Sequence, residues 1–313
     1  YYLISKTLII FNITDPFNWS LFYRLFSSVL GWSAIVLIVK NNTSLFSTQI
    51  TRNIFIISSL FFWFFPFLHA RTSSENFGTS FLLIGLSIVF CLIQNKFKHK
   101  TIFLLLAGMA FGFSFISRYQ IGIMILFFLI WSYFYKKFTF KELILILSGI
   151  IIIFFIEIFI NIWGYNNSNS NINWNFVNDI TINEILLNKN SIVNIADPYV
   201  IYKKILYELL YRIPLLSYFY YMFFQNSSLL PEAPWWHYLT LTINKFFPPI
   251  SIVVLLSFFY LWIFLRKNFI TWMTLPYIII HSIIPHKEFR YLFPVLVFFP
   301  FVLSYILEDI SFK

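Results

Sequence analysis

The chain lacks most of what builds a water-soluble surface. Asp, Glu, Lys and Arg together make up 11% of its 313 residues, where a soluble domain has roughly 25%. So little charge cannot cover a compact fold in water, which excludes a soluble globular protein. The same shortage of polar residues excludes disorder. The single cysteine, Cys91, rules out an internal disulfide framework and any cysteine-based zinc site. No glycine-rich phosphate loop, HExxH or CxxC pattern occurs. No supersecondary unit repeats along the chain.

What is present is apolar. Residues A, V, I, L, M, F, W, Y and C supply 59% of the chain and aromatics 23%, with 43 Phe. The sequence therefore predicts an all-α integral membrane protein, a polytopic helical bundle. A spanning helix needs about 20 mostly apolar residues. Nine segments qualify, some of them short: 20–39, 53–69, 77–94, 101–117, 120–135, 142–163, 246–265, 269–284 and 291–307. Trp19, Trp131, Trp163, Trp235, Trp236 and Trp272 fall near their ends, where indole rings favour the water–lipid boundary.

The net charge of +10 suggests a polyanionic partner, but its distribution points away from nucleic acid. Lys40 and Arg52 flank one loop. Lys96, Lys98, His99 and Lys100 fill a second of the same phase, Lys136, Lys137 and Lys141 a third, and Arg266 with Lys267 a fourth. The positive-inside rule makes these four loops cytoplasmic. The opposite set is then external: 69–76, the turn at Arg118, the long stretch 164–245, and 285–290. In that long stretch, Lys203, Lys204, Glu208 and Arg212 share one side of a helix and Ile205, Leu206, Leu209, Leu210 and Ile213 the other. This predicts an interfacial helix near 201–213 that does not span, ended by Pro214. The whole chain, 1–313, reads as one membrane domain. Tyr1 opens it without Met, and the first residues read as the interior of a longer sequence, so an N-terminal piece is expected to be missing.

Charge held close to hydrocarbon is costly and is usually retained for a reason. Three external elements carry it: Arg71-Thr72-Ser73-Ser74-Glu75, Ser117-Arg118-Tyr119-Gln120, and His286-Lys287-Glu288-Phe289-Arg290-Tyr291. The third is the densest. One reading is a snorkelling rim that anchors helix ends. The other is a binding or catalytic site, in which Glu288 orients Lys287 or Arg290 and the net positive charge faces an anion. Arg71 and Arg118 share that external face, and guanidinium groups suit phosphate oxygens. Pro234-Trp235-Trp236-His237-Tyr238 is either an interfacial belt or a surface for stacking sugar or contacting lipid. Glu157, inside a span, either packs as a hydrogen-bonded carboxylate or points into the site. His69 and His281 read as boundary residues, and no His or carboxylate pair has metal spacing.

The run His286-Lys287-Glu288-Phe289-Arg290-Tyr291-Leu292-Phe293-Pro294 resembles the His-Lys-Glu-x-Arg-aromatic-x-x-Pro signature of the lipid-phosphate-sugar-dependent mannosyltransferases. That family includes the enzyme adding the third mannose of GPI anchors and the α-1,2 and α-1,6 mannosyltransferases of N-glycan assembly. Arg71-Thr72-Ser73-Ser74-Glu75 is similar to its Arg-Thr-x-Ser-(Asn/Glu) segment. Phe115-Ile116-Ser117-Arg118-Tyr119-Gln120 is similar to its Phe-x-x-Arg segment, nearest the GPI-type branch. Trp163-Gly164-Tyr165 and Pro234-Trp235-Trp236-His237-Tyr238 resemble the edges of its large lumenal loop.

The resemblance implies a C-type glycosyltransferase fold of about nine spans here. It implies a polyprenyl- or dolichyl-phosphate sugar donor, a glycolipid or lipid-linked acceptor, inversion at the sugar, and no metal or cofactor. The membrane would be a bacterial inner membrane or the endoplasmic reticulum, with the site on the periplasmic or lumenal side. His286, Lys287, Arg290, Arg118 and Arg71 would bind the donor phosphate, with Glu288 in support. Glu75, Tyr119, Gln120, Trp235, Trp236 and His237 would contact substrate or lipid. Family members carry an acidic pair, the source of the catalytic carboxylate, after their first helix. Here that region would precede Tyr1, and Asn161 stands where the family usually has an Asp. Two other classes remain open: a transporter or flippase of a lipid-linked saccharide, and an inactive scaffold.

Overall fold

The computed structural model of the chain describes residues 7–13, 15–62, 65, 69–94, 96, 99–168 (162–168 as backbone only), 233–245 and 248–311. The described residues form helices and no sheet strand. The interfacial helix expected near 201–213 lies outside them.

Helix α1 (Pro16–Asn42) starts where Asp15 accepts a hydrogen bond from the Phe17 amide and Pro16 presets the first turn. Helix α2 (Gln49–Phe61) follows, then α3 (Ser74–Ile93), α4 (Lys100–Ser117), α5 (Ile121–Phe134) and the long α6 (Phe140–Ser168). After the undescribed stretch come α7 (His237–Lys245), α8 (Ile250–Phe264) and α9 (Phe269–Ile283). A 3-10 turn (Phe289–Leu292) leads into α10 (Phe293–Leu296) and α11 (Phe299–Ser311).

Among the described residues, four helices are long and apolar enough to cross a membrane: α1, α3, α4 and α6. There are up to six crossings if each of two bent pairs is one span. This is a multi-pass membrane protein. The pairs are α8 with α9, which turn through 112°, and the 289–296 segment with α11, bent by 49°. Nine spans were expected, and the difference lies in helix length. At 1.5 Å per residue, the 13 to 15 residues of α2, α5, α8 and α9 reach only about 20–22 Å, short of a hydrocarbon core of about 30 Å. The expected run 53–69 is cut at Phe62, where α2 ends, and 246–265 becomes helical only from Ile250, after Pro248 and Pro249.

Two compact units divide the chain. One is Tyr1–Ile153 with Ser228–Lys313, and the other is Phe154–Ser227, which holds the C-terminal part of α6. In the first unit α3 is central, packed by α1, α4 and α5, and it is the most buried of the four long helices. Small polar residues tie it to its neighbours as they do in lipid, where every polar group needs an internal partner. Ser114 donates to the Gly78 carbonyl (2.7 Å), Ser87 to the Leu37 carbonyl (3.1 Å), and Asn41 to Ser87 (2.6 Å). Helices α4 and α6 approach backbone to backbone: a Cβ on Gly108 would run into the Ile146 carbonyl, and one on Gly149 into Leu105. The outer faces of α1 and α6 stay exposed and apolar, with Phe17, Leu21, Phe155 and Phe159 among them.

The charges sort to the two ends of α3, which are about 30 Å apart for its length. At the C-terminal end, Lys96 reaches the Asn41 carbonyl (3.3 Å), Lys100 pairs with Glu142 (2.5 Å), and the Trp131 indole donates to the Lys267 carbonyl (2.9 Å). The N-terminal end holds Arg71, Arg118, Lys287 and Arg290.

Candidate functional site

Ser73 caps α3 by accepting from the Asn76 amide (3.3 Å), which places Glu75 in the first turn, where the helix dipole favours a carboxylate. Asn76 is fully buried. Its side chain donates to the carbonyls of His69 (2.9 Å) and Arg71 (3.1 Å) and meets the His69 ring (3.0 Å). These bonds fold the 69–72 link over the helix end and fix Arg71, whose guanidinium lies over the Phe293 ring at 5.9 Å. His69, read from sequence as a boundary residue, is buried and stacks on Phe65.

Arg118 is the C-cap of α4 in extended backbone. That conformation turns its side chain to Glu75, 3.0 Å from Nη2 to Oε1. Its Nε donates to Gln120 (3.1 Å) and its plane covers Tyr291 at 5.2 Å. Gln120 therefore orients Arg118, and Tyr119 packs its ring edge-on to Phe115.

The segment after α9 is built on backbone. Ala233 donates its amide to the Pro285 carbonyl (3.0 Å), and Lys287 returns a bond to the Ala233 carbonyl (2.8 Å) and another to Ile284 (2.7 Å). The Pro-Trp-Trp-His-Tyr run is thus tied to the cation loop. Lys287 is buried at 8% exposure, and burial holds its pKa below the ordinary lysine value. An ammonium has three donors, and carbonyls take two of them here. The amine borders a cavity of about 390 Å³ lined with Ala233, Pro234, Trp235 and Pro285.

Glu288 organises the rest. It accepts a fork of bonds from Arg290, from Nη2 at 2.8 Å and from Nε, and a bond from His286 Nε2 at 2.9 Å. Burial works to raise its carboxyl pKa, but these bonds and charges outweigh burial and hold it below the usual carboxylate range. Arg290 also comes within 3.7 Å of Glu75. One buried carboxylate, Glu75, thus gathers Arg118 and Arg290 from segments far apart in sequence. Around Glu75 and Glu288 the fold brings together Arg118, Arg290 and His286, while the Lys287 amine bonds the Ala233 and Ile284 carbonyls instead.

Beside it runs an apolar groove of about 460 Å³ between α7, α8, α9 and α10, lined by Trp235, Trp236, Tyr238, Phe258, Ile279 and Leu296 among others. Trp235, Ser282 and Ile283 border both it and the cavity at Lys287. Trp235 and Trp236 are exposed and meet edge to face at 5.5 Å. The His237 ring faces Thr240 (3.4 Å). Glu157 lies in the second unit, and the side chains of Trp163 and Tyr165 lie outside the description.

Sequence reasoning passed over Asn76, Tyr238 and His281. All three are buried. The signal for Tyr238 was its place in the tandem-Trp run, where the indoles drew the assignment. His281, read as a boundary residue, donates from Nδ1 to the Tyr277 carbonyl (2.9 Å) and stacks on Tyr277 at 4.0 Å. Among the described residues no three of His, Cys, Asp and Glu gather as a metal site. Compared with protein-family models, with curated proteins and with solved structures, the chain matches none of them.

Proposed function

We propose that this chain is a membrane glycosyltransferase of C-type fold. It moves a hexose, mannose on the strength of the resemblance, from a polyprenyl- or dolichyl-phosphate sugar to a glycolipid or lipid-linked glycan. The observation that carries this is the convergence of Arg118 and Arg290 on Glu75, with Lys287 at a cavity that adjoins an apolar groove. Cations beside an apolar channel suit a phosphate on a long hydrocarbon chain. The groove takes the isoprenoid tail, and the cluster takes the phosphate.

In the reaction the anomeric carbon–oxygen bond to phosphate breaks and its electron pair leaves with the phosphate. Cations fixed at that oxygen stabilise the charge as it develops. Arg118 and Arg290 are preorganised by Glu75 and Glu288, and Lys287 turns its remaining donor to the same anion. The acceptor hydroxyl attacks the opposite face of the sugar, which inverts, and gives its proton to a carboxylate. The whole cluster sits at one end of α3, which favours a one-sided enzyme over a transporter, whose coupling sites lie near the bilayer midplane.

The test is mutational, in the full-length protein. Lys287→Ala and Arg290→Ala should each abolish sugar transfer while expression persists, and unchanged transfer in either would refute the assigned roles.

A further inference from the structure

Groove and cation cluster meet at a residue that the reaction above leaves unused. Tyr238 opens α7, is 4% exposed, and forms part of the groove wall. Helix α7 packs on the Phe289–Leu292 turn, which brings the phenol to the loop that carries Glu288 and Arg290. Its hydroxyl oxygen is buried and has no hydrogen-bond partner among the described residues. Buried tyrosine hydroxyls normally find one. Burial above all, then the nearby Tyr291 and Glu288, pushes its pKa up, so the phenol keeps its proton and stays a donor.

Two more polar atoms in this neighbourhood are buried without partners: His281 Nε2 and His286 Nδ1. Both rings lie 6.2 Å from the Tyr291 ring. Each ring donates through its other nitrogen, to a carbonyl and to a carboxylate respectively, so in the neutral ring the unpartnered nitrogen is an acceptor. Around Tyr291 the fold therefore presents one unused donor, two unused acceptors and two guanidiniums, Arg118 at 5.2 Å and Arg290 at 5.8 Å. Such a set is suited to a ligand that offers anionic oxygens and hydroxyls together.

We infer that Tyr238 contacts the substrate directly, its hydroxyl donating a hydrogen bond to a phosphate oxygen of the polyprenyl-phosphate lipid whose tail lies in the groove. This role rests on the glycosyltransferase reading. Position fixes which part of the lipid it meets. Tyr238 lines the tail's own groove, and the first polar group beyond a polyprenyl tail is the phosphate, with the sugar one atom further on.

The experiment uses the full-length protein in nanodiscs, titrated with sugar-free polyprenyl phosphate and, in parallel, with polyprenol. Tyr238→Phe removes only the oxygen. It should weaken polyprenyl phosphate binding by about tenfold, the weight of one hydrogen bond to a charged group, and leave polyprenol binding unchanged. The melting temperature of the ligand-free variant should hold or rise, because an unpaired buried hydroxyl is lost. Equal affinity for polyprenyl phosphate in variant and wild type overturns the role of Tyr238 and leaves the wider reading standing. A lower melting temperature beside that equal affinity would assign the hydroxyl to the fold. If the wild type binds no polyprenyl phosphate, the wider reading falls and this role falls with it.

Discussion

Glu75→Gln is the most informative perturbation of the structure. The carboxylate is 4% exposed as a side chain and lies 3.0 Å from Arg118, itself 22% exposed. At an effective dielectric constant of about 20, two charges at that distance attract by about 5–6 kcal/mol before desolvation is counted. Removing one partner of a buried pair costs about 3–5 kcal/mol, chiefly because the other charge is left uncompensated. Water reaches part of Arg118, and Gln120 and the Tyr291 ring still hold it, so the loss should sit lower, at about 2–3 kcal/mol. Arg290, at 3.7 Å and 48% exposed, adds only about 0.5 kcal/mol. The assay is a double-mutant cycle on unfolding in detergent with Arg118→Gln. The double variant should lose about 2 kcal/mol less than the sum of the singles. The matching cycle with Arg290→Gln should give a coupling several-fold smaller. If Glu75 and Arg118 prove additive within about 0.5 kcal/mol, the shared carboxylate does not hold the site together and the reasoning fails.

Other consequences can be measured separately. Glu288 has its pKa lowered in the fold, so its contribution is complete above the ordinary carboxylate value and is lost as pH falls through the lower folded value. The wild type's melting temperature should drop more steeply below about pH 4 than that of Glu288→Gln, and parallel curves would contradict the fork to Arg290. Gly108→Leu should destabilise by at least about 1–3 kcal/mol through overpacking against the Ile146 carbonyl. Normal stability would mean that α4 and α6 are not this close. With Cys91 replaced by Ser, a cysteine introduced at Lys267 should resist a membrane-impermeant reagent added outside intact cells, and labelling there would invert the orientation.

Composition alone makes the membrane class legible, because 11% charge leaves no other way to satisfy the surface. The helix ends of α3 and α4 were legible as well: the expected 77–94 and 101–117 lie within one to three residues of the helices formed. The breaks were harder to see. The 112° angle between α8 and α9 leaves no mark in the sequence, although Arg266-Lys267-Asn268 marks the place of the break between the expected 246–265 and 269–284. The 3-10 turn at Phe289–Leu292 depends on contacts with α7, more than 40 residues away in sequence. In the site, the cationic residues stand out against a sparse background of charge, so Arg71, Arg118, Lys287 and Arg290 could be named. Their partners could not be assigned with the same ease. Glu288 takes Arg290 and His286, while Lys287 is held by the backbone carbonyls of Ala233 and Ile284. Carbonyl acceptors leave no mark in a sequence. Tyr238 was missed because burial defines its role, and a tyrosine among 19 does not announce burial.

The central claim is sugar transfer, and proteoliposomes holding the full-length protein test it most directly. Supplied with a labelled polyprenyl-phosphate hexose and a glycolipid extract, they should convert label to a longer glycolipid without moving donor across the bilayer. Donor movement without transfer would make the chain a transporter. Neither transfer nor movement would make it a scaffold, and either result contradicts the account.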